Sequence, residues 1–128
     1  MNIRIGTDII EISRIKKSIE DTDNKFIERI YTNKEIEYCE SRKSQKYQHY
    51  AVRFAGKEAV FKAISSMLKN KFEVDWKDIE ILNDSSGRPY VNILKSKISD
   101  KINIDISLSH CKEYAVANVI AYIEMDAD

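Results

Sequence analysis

Apolar positions along this chain switch between a two-residue and a three-to-four-residue period, and the switches mark out its elements. Ile3 and Ile5 alternate with polar neighbours and predict a short strand that ends at Gly6, Thr7 and Asp8. Ile9, Ile12, Ile15 and Ile19 then recur at helical spacing, and the polar run Asp21 to Asn24 breaks the pattern. Phe26, Ile27 and Ile30 predict a second short helix with Arg29 on its polar side. Thr32-Asn33-Lys34-Glu35 has the form of a capping box opening a helix near Asn33 that runs to about Arg42. The longest helix is expected to start between Gln45 and His49 and to end near Asn70, because that stretch contains only Gly56 and no proline.

Strand alternation returns at Asp78 to Leu82. The turn-rich run Asn83-Asp84-Ser85-Ser86-Gly87 and the segment Pro89 to Leu94 complete a predicted hairpin. Lys95 to Lys101 reads as a short helix. Ile104, Ile106 and Leu108 alternate up to a turn over Ser109 to Glu113, and Tyr114 to Ile123 forms the last strand. Its Ala115, Ala117, Val119 and Ala121 give one face small enough to lie under a helix. The expected class is α+β, with an antiparallel sheet packed against one long helix plus shorter helices.

With 128 residues, 43% of them hydrophobic and 33% charged, the chain is expected to fold as one soluble domain, 1-128. The 21 basic and 21 acidic side chains balance, so no global field favours nucleic acid or an anionic membrane. Cys39 and Cys111 have no zinc or disulfide-framework spacing and fit a reducing, cytoplasmic setting. The charged N-terminus is unlike a signal peptide, and no apolar run approaches the roughly 20 residues of a membrane span.

Candidate chemistry gathers around Arg53-Phe54-Ala55-Gly56-Lys57-Glu58-Ala59-Val60-Phe61-Lys62-Ala63. At about 100° per residue, Phe54, Val60, Phe61 and Ile64 share an apolar arc, and Glu58 and Lys62 lie together outside it. That pair is either an ordinary surface ion pair or part of a site. Arg53 points to the side opposite Lys62, either into solvent or toward a site contributed by a neighbouring subunit. Lys57 falls inside the apolar arc, where snorkelling is the simplest explanation. Asp8, after a strand, is either a turn or cap residue or, with Glu58, one of two hard oxygen ligands suited to Mg²⁺ that shares a phosphate. Lys62 beside them would neutralise a phosphate oxygen or protonate a leaving group. His110 sits at an expected pocket rim, as a structural residue or a ligand contact. Arg42, Lys43 and Lys46 form either a solvated helix end or a phosphate contact. No P-loop or dinucleotide fingerprint is present, so phosphate binding must rely on side chains and metal.

Taken in order, Gly6-Thr7-Asp8-Ile9, Phe26-Ile27-Glu28-Arg29-Ile30, the block from Arg53 to Ala63, Gly87-Arg88-Pro89-Tyr90 and Ser107-Leu108-Ser109-His110 resemble the holo-[acyl-carrier-protein] synthase family, the small bacterial branch of the 4′-phosphopantetheinyl transferases. The resemblance spans nearly the whole chain. It implies transfer of phosphopantetheine from coenzyme A to a serine of apo acyl carrier protein, with release of adenosine 3′,5′-bisphosphate. It implies Mg²⁺ on Asp8 and Glu58, with Glu58 helping to deprotonate the serine and Lys62 stabilising the departing phosphate. A homotrimer is implied, with coenzyme A in clefts between subunits, served by Arg42, Lys43, Arg53, Gly87, Arg88, Pro89, His110 and Cys111. Arg14, Ile15, Lys25, Phe26 and Arg29 would meet the carrier protein.

The sequence departs from the family pattern at Phe61, where a small residue is common, at Ile64 to Leu68, which lacks a glycine, and at Cys111, where a hydroxyl is common. None of these touches Asp8, Glu58 or Lys62. Two other classes fit parts of the pattern: a non-catalytic carrier-protein or nucleotide-binding module, which would need none of those three residues, and a plain α+β oligomerisation domain.

Overall fold

The computed structural model describes residues 2–68, 74–95 and 100–123. Its elements run β1 (Asn2–Glu11), α1 (Ile12–Asp21), α2 (Lys25–Ile30), α3 (Asn33–Ser41), α4 (Lys46–Ile64), β2 (Ile79–Asn83), β3 (Pro89–Ile93), β4 (Asn103–His110) and β5 (Tyr114–Ile123). The class is α+β with antiparallel strands against one long helix, and the strands divide between two sheets. One has the order β1-β5-β4; the other is the β2-β3 hairpin.

Helix α4 is the hub. It packs on β1 and β5 on one side, and on α1, α3 and β2 on others. The small face expected on β5 is the reason it can lie so close: Ala115, Ala117, Val119 and Ala121 are all buried, and Ala55, Ala59 and Ala63 meet that side from the helix. A second core holds Ile12, Ile15 and Ile19 of α1 with Ile27, Ile30, Tyr31, Cys39 and Tyr50. The capping box at Thr32 is formed in both directions, with the Thr32 side chain accepting from the Glu35 backbone and the Glu35 carboxylate from the Thr32 backbone.

The structure corrects several expectations. Strand β1 does not stop at Gly6 to Asp8; it continues to Glu11, because β5 offers a partner along its whole length, from Asn2 opposite Ile123 to Glu11 opposite Tyr114. Ile9 is accordingly on the strand and exposed, not on α1. Helix α4 ends at Ile64, a single 3₁₀ turn follows at Ser65–Met67, and Leu68 is extended. Asn70 lies outside the described residues, as does most of the helix expected over Lys95 to Lys101; Asp100 and Lys101 are in a turn. The turn expected to begin at Ser109 starts at Cys111, since β4 keeps pairing through His110 opposite Ala115.

The largest correction concerns α4 itself. It has no single apolar arc, and Arg53 and Lys57 are buried within it, at 1% and 0% exposure. Arg53 is neither a solvated residue nor one that reaches out of the chain. Its Nε donates to the Ile81 carbonyl and its Nη2 to Asn83 Oδ1, at 3.1 and 3.0 Å. Lys57 does not snorkel: its Nζ lies 2.7 Å from Glu35 Oε1 and donates to the carbonyls of Ile30, Trp76 and Ile79. A buried charge is tolerated when it is paired and hydrogen-bonded. Lys57 is paired with Glu35, while Arg53 is held by its two hydrogen bonds and by the Tyr38 ring 4.3 Å from its guanidinium.

Candidate active site

Gly6 brings β1 against α4. A Cβ there would sit 1.9 Å from the Ala59 carbonyl oxygen, so only glycine permits this crossing. Strand alternation turns Gly6 and Asp8 to the same face. Asp8, two residues on, therefore lies against the next turn of α4, and its Oδ1 is 3.0 Å from Lys62 Nζ. Lys62 also donates to the Thr7 carbonyl at 3.0 Å. An ammonium has three donors, so one remains for a ligand, and the Lys62 side chain is 52% exposed. The Asp8 side chain is 16% exposed, largely sheltered between β1 and α4.

Glu58 completes the cluster. Burial pushes its carboxyl above the ordinary range, the Asp8 charge adds to that, and Lys62 opposes it. Two carboxylates that repel each other beside one cation form a site that gains from a second positive charge. Among the described residues no group of three or more His, Cys, Asp or Glu is placed to hold a metal. A cation held by Asp8 and Glu58 would thus keep most of its coordination for water and a substrate oxygen, which is the habit of Mg²⁺.

A second cluster forms around Tyr38. The guanidinium groups of Arg42 and Arg53 lie over its ring at 4.7 and 4.3 Å. Arg42 Nη2 also donates to Tyr38 Oη at 3.1 Å. His49 packs edge-on against Tyr38, and His110 lies 6.0 Å from His49, so His110 is not a lone rim histidine. Burial lowers the His49 pKa to about 4, with Arg53, Arg42 and His110 adding to the effect. Asn83 joins the cluster to the hairpin turn, donating to the carbonyl of Gly87, whose φ of +86° suits glycine. The result is a surface on which the Arg42 guanidinium and the His110 ring stand together, with the buried Arg53 behind them contributing charge.

The remaining candidates are placed as follows. Lys43 is exposed in the turn between α3 and α4, at a φ of +54°. Arg88 is exposed and pairs with Asp105 at 3.3 Å, and Pro89 begins β3. Both line a pocket of about 530 Å³ that includes Ile5, Ser107, Asn118 and Ile120. Cys111 is exposed and free, its thiol lowered by the backbone N–H groups of Glu113 and Tyr114. Arg14, Lys25 and Arg29 are exposed and Phe26 is half-buried. Ile15, by contrast, is 3% exposed in the core under α1 and forms no part of an outer surface.

Thr7, Glu35, Tyr38, His49 and Asn83 were not among the site residues read from sequence. His49 and Tyr38 are half-buried polar aromatics near the Arg42-Lys43 pair, which is the signal available for them.

The 4′-phosphopantetheinyl transferase superfamily model matches residues 4–119. A holo-[acyl-carrier-protein] synthase of Ruminiclostridium cellulolyticum is 50% identical, over 94% of this chain and 92% of that one. The solved holo-(acyl-carrier-protein) synthase of Bacillus anthracis in complex with CoA (3′,5′-ADP) is 37% identical with a TM-score of 0.77, covering 92% of this chain and 94% of that one. The Helicobacter pylori synthase in complex with coenzyme A is 32% identical with a TM-score of 0.79, over 92% and 99% of the two chains. The chain belongs to the 4′-phosphopantetheinyl transferase superfamily, on its holo-[acyl-carrier-protein] synthase branch.

Proposed function

We propose that this protein is an Mg²⁺-dependent phosphopantetheinyl transferase of the cytoplasm, a single transfer domain that acts as a homotrimer. It moves the 4′-phosphopantetheine group of coenzyme A to a serine of apo acyl carrier protein and releases adenosine 3′,5′-bisphosphate. The observation that carries the reading is the convergence of Asp8, Glu58 and Lys62 at one crossing of β1 and α4. A pure binding module would need none of these three residues brought together.

Phosphoryl transfer chiefly needs positioning and charge neutralisation. A bound Mg²⁺ would supply charge on the pyrophosphate oxygens, with Asp8 and Glu58 as its protein ligands. Glu58, beside Asp8 and Lys62, would help to take the serine proton. Lys62, fixed by Asp8 and Thr7, directs its remaining donor at the departing phosphate. Arg42, Lys43 and Arg88 supply charge and His110 a ring nitrogen to the nucleotide end, while Pro89 and Gly87 shape the turn beside it. Arg14, Lys25 and Arg29, flanking Phe26, offer a basic rim with an apolar centre to an acidic carrier.

Support for assembly comes from the outer face of the β1-β5-β4 sheet. Ile5 and Ile120 are register partners, and they are 71% and 47% exposed. Ile3, Ile9 and Tyr114 extend the same exposed apolar face. Such a contiguous patch on a soluble protein marks an interaction surface, and a second and third copy of this chain would cover it. The pocket containing Arg88 and Pro89 opens on this face, which fits a coenzyme site shared between subunits.

The test is nucleotide release. With coenzyme A, Mg²⁺ and apo acyl carrier protein, we expect adenosine 3′,5′-bisphosphate to accumulate in proportion to the carrier and to stop when the metal is chelated. Release that is independent of the carrier would mean hydrolysis rather than transfer and would overturn the reading.

A further inference from the structure

The buried pair Lys57–Glu35 lies outside the reacting cluster, yet it is joined to it by the chain itself. Along β2, the backbone edge that β3 leaves unpaired is met by side chains in place of a strand. Ile79 O accepts from Lys57 at 2.6 Å, Ile81 N donates to Glu35 Oε2 at 2.9 Å, and Ile81 O accepts from Arg53. Lys57 also takes the carbonyl of Ile30 at the end of α2 and that of Trp76 in the turn before β2. Glu35, with both oxygens used, accepts from the Thr32 backbone through its other carboxylate oxygen. No buried side-chain nitrogen or oxygen among the described residues is left without a partner. One ammonium therefore ties α4 to α2, α3, the 3₁₀ turn at Trp76–Asp78 and β2.

On the opposite side of α4 the clamp is steric. Residues two apart on a helix are separated by about 200°, so Lys57 and Ala59 face opposite ways. Ala59 is pressed against Gly6 of β1, and Lys57 is anchored in β2. Glu58 is the residue between them. A helix gripped on both faces at adjacent positions cannot roll or slide there without breaking one grip. The direction of the Glu58 carboxylate toward Asp8 is therefore set by its two neighbours.

We propose that Lys57, held by Glu35, is a positioning residue that fixes the rotation of α4 so that Glu58 meets Asp8 and Lys62. The proposal rests on the transfer reading above. Its function is separate from contact with coenzyme A, since Lys57 is fully enclosed and all its donors are used within the chain.

The test compares Lys57→Met, Glu35→Gln and the double substitution with Ile81→Val, which perturbs the same packing without touching the charges. Wild-type protein is assayed in parallel with coenzyme A, Mg²⁺ and apo carrier. In variants that retain native circular dichroism we expect kcat to fall by on the order of 100-fold, the scale of a misplaced catalytic group. KM for coenzyme A should stay within about threefold, the pattern of a lost transition-state interaction. Half-saturating Mg²⁺ should rise, while Ile81→Val keeps the kcat and the Mg²⁺ midpoint of the wild type. Lys57→Arg, which keeps the charge but changes its reach, supplies a folded variant if the neutral ones do not fold, and the same fall in kcat is expected. A folded variant with wild-type kcat and Mg²⁺ midpoint would overturn the proposal. So would unfolding of every Lys57 and Glu35 variant while Ile81→Val stays native, because the pair would then serve global stability. An inactive wild type would refute the transfer reading itself.

Discussion

At the level of single residues, Glu58 carries the sharpest expectation because its chemistry and its stability pull in opposite directions. Its folded pKa is raised by burial and by Asp8. Between the ordinary glutamate value, near about 4.3, and that raised value, the folded chain binds more proton than the unfolded one. Its contribution to stability is then greatest at low pH and is lost as pH rises through the raised pKa. In metal-free protein, Glu58→Gln should therefore raise the thermal midpoint at pH 7 relative to wild type, with the difference vanishing below about pH 4. The same substitution should cut transfer by about 100-fold or more. Calorimetry across pH and a rate assay read both, and a substitution that lowered the midpoint at pH 7 would contradict the raised pKa. Spacing alone leaves Glu58 and Lys62 as an ordinary surface pair and Asp8 as a turn residue; the family resemblance singles the three out, and the structure brings Asp8 to Lys62. Arg53 and Lys57 were misread, since helical periodicity assigns a charge to a face but cannot show that distant backbone carbonyls await it. Those carbonyls belong to Ile79 and Ile81, more than twenty residues along the chain.

At the level of elements, the crossing of β1 over α4 is the contact on which the site depends. The alternation of Ile3 and Ile5 predicts a strand that ends at Gly6-Thr7-Asp8, because the apolar alternation stops there. In the structure each has a strand role: Gly6 admits the helix, Thr7 hydrogen-bonds to Asn118 across the ladder, and Asp8 faces Lys62. Gly6→Ala forces a methyl into the Ala59 carbonyl, where the obstacle is backbone and cannot turn aside. We expect a destabilisation of about 3 kcal/mol or more, measured by urea denaturation. Any folded fraction should lose activity as Asp8 withdraws from Lys62. A stable, fully active Gly6→Ala protein would show that the crossing is not required. The hairpin of β2 and β3 and the capping box of α3 were readable because their signals are local. The end of α4 was not, because nothing in Ser65 to Leu68 forbids a helix and the stop is set by tertiary packing.

At the level of the whole molecule, both sheets and the shorter helices pack around α4 and leave it buried on nearly every side, which its sequence conceals by spreading apolar residues around the helix. The exposed face of the β1-β5-β4 sheet carries the remaining expectation. Placing aspartates at Ile5 and Ile120 puts like charges directly opposite each other on that face. We expect that double variant to sediment as a monomer and to lose transfer, while its circular dichroism stays native. A variant that remained trimeric would place the interface elsewhere. One chemical event decides what this protein does, and the intact mass of the carrier protein reads it directly. Incubated with this protein, coenzyme A and Mg²⁺, an apo acyl carrier protein should gain the mass of one phosphopantetheine, and a carrier whose acceptor serine is replaced by alanine should gain none. An unchanged carrier mass, under conditions where an authentic phosphopantetheinyl transferase converts the same carrier, would contradict the account.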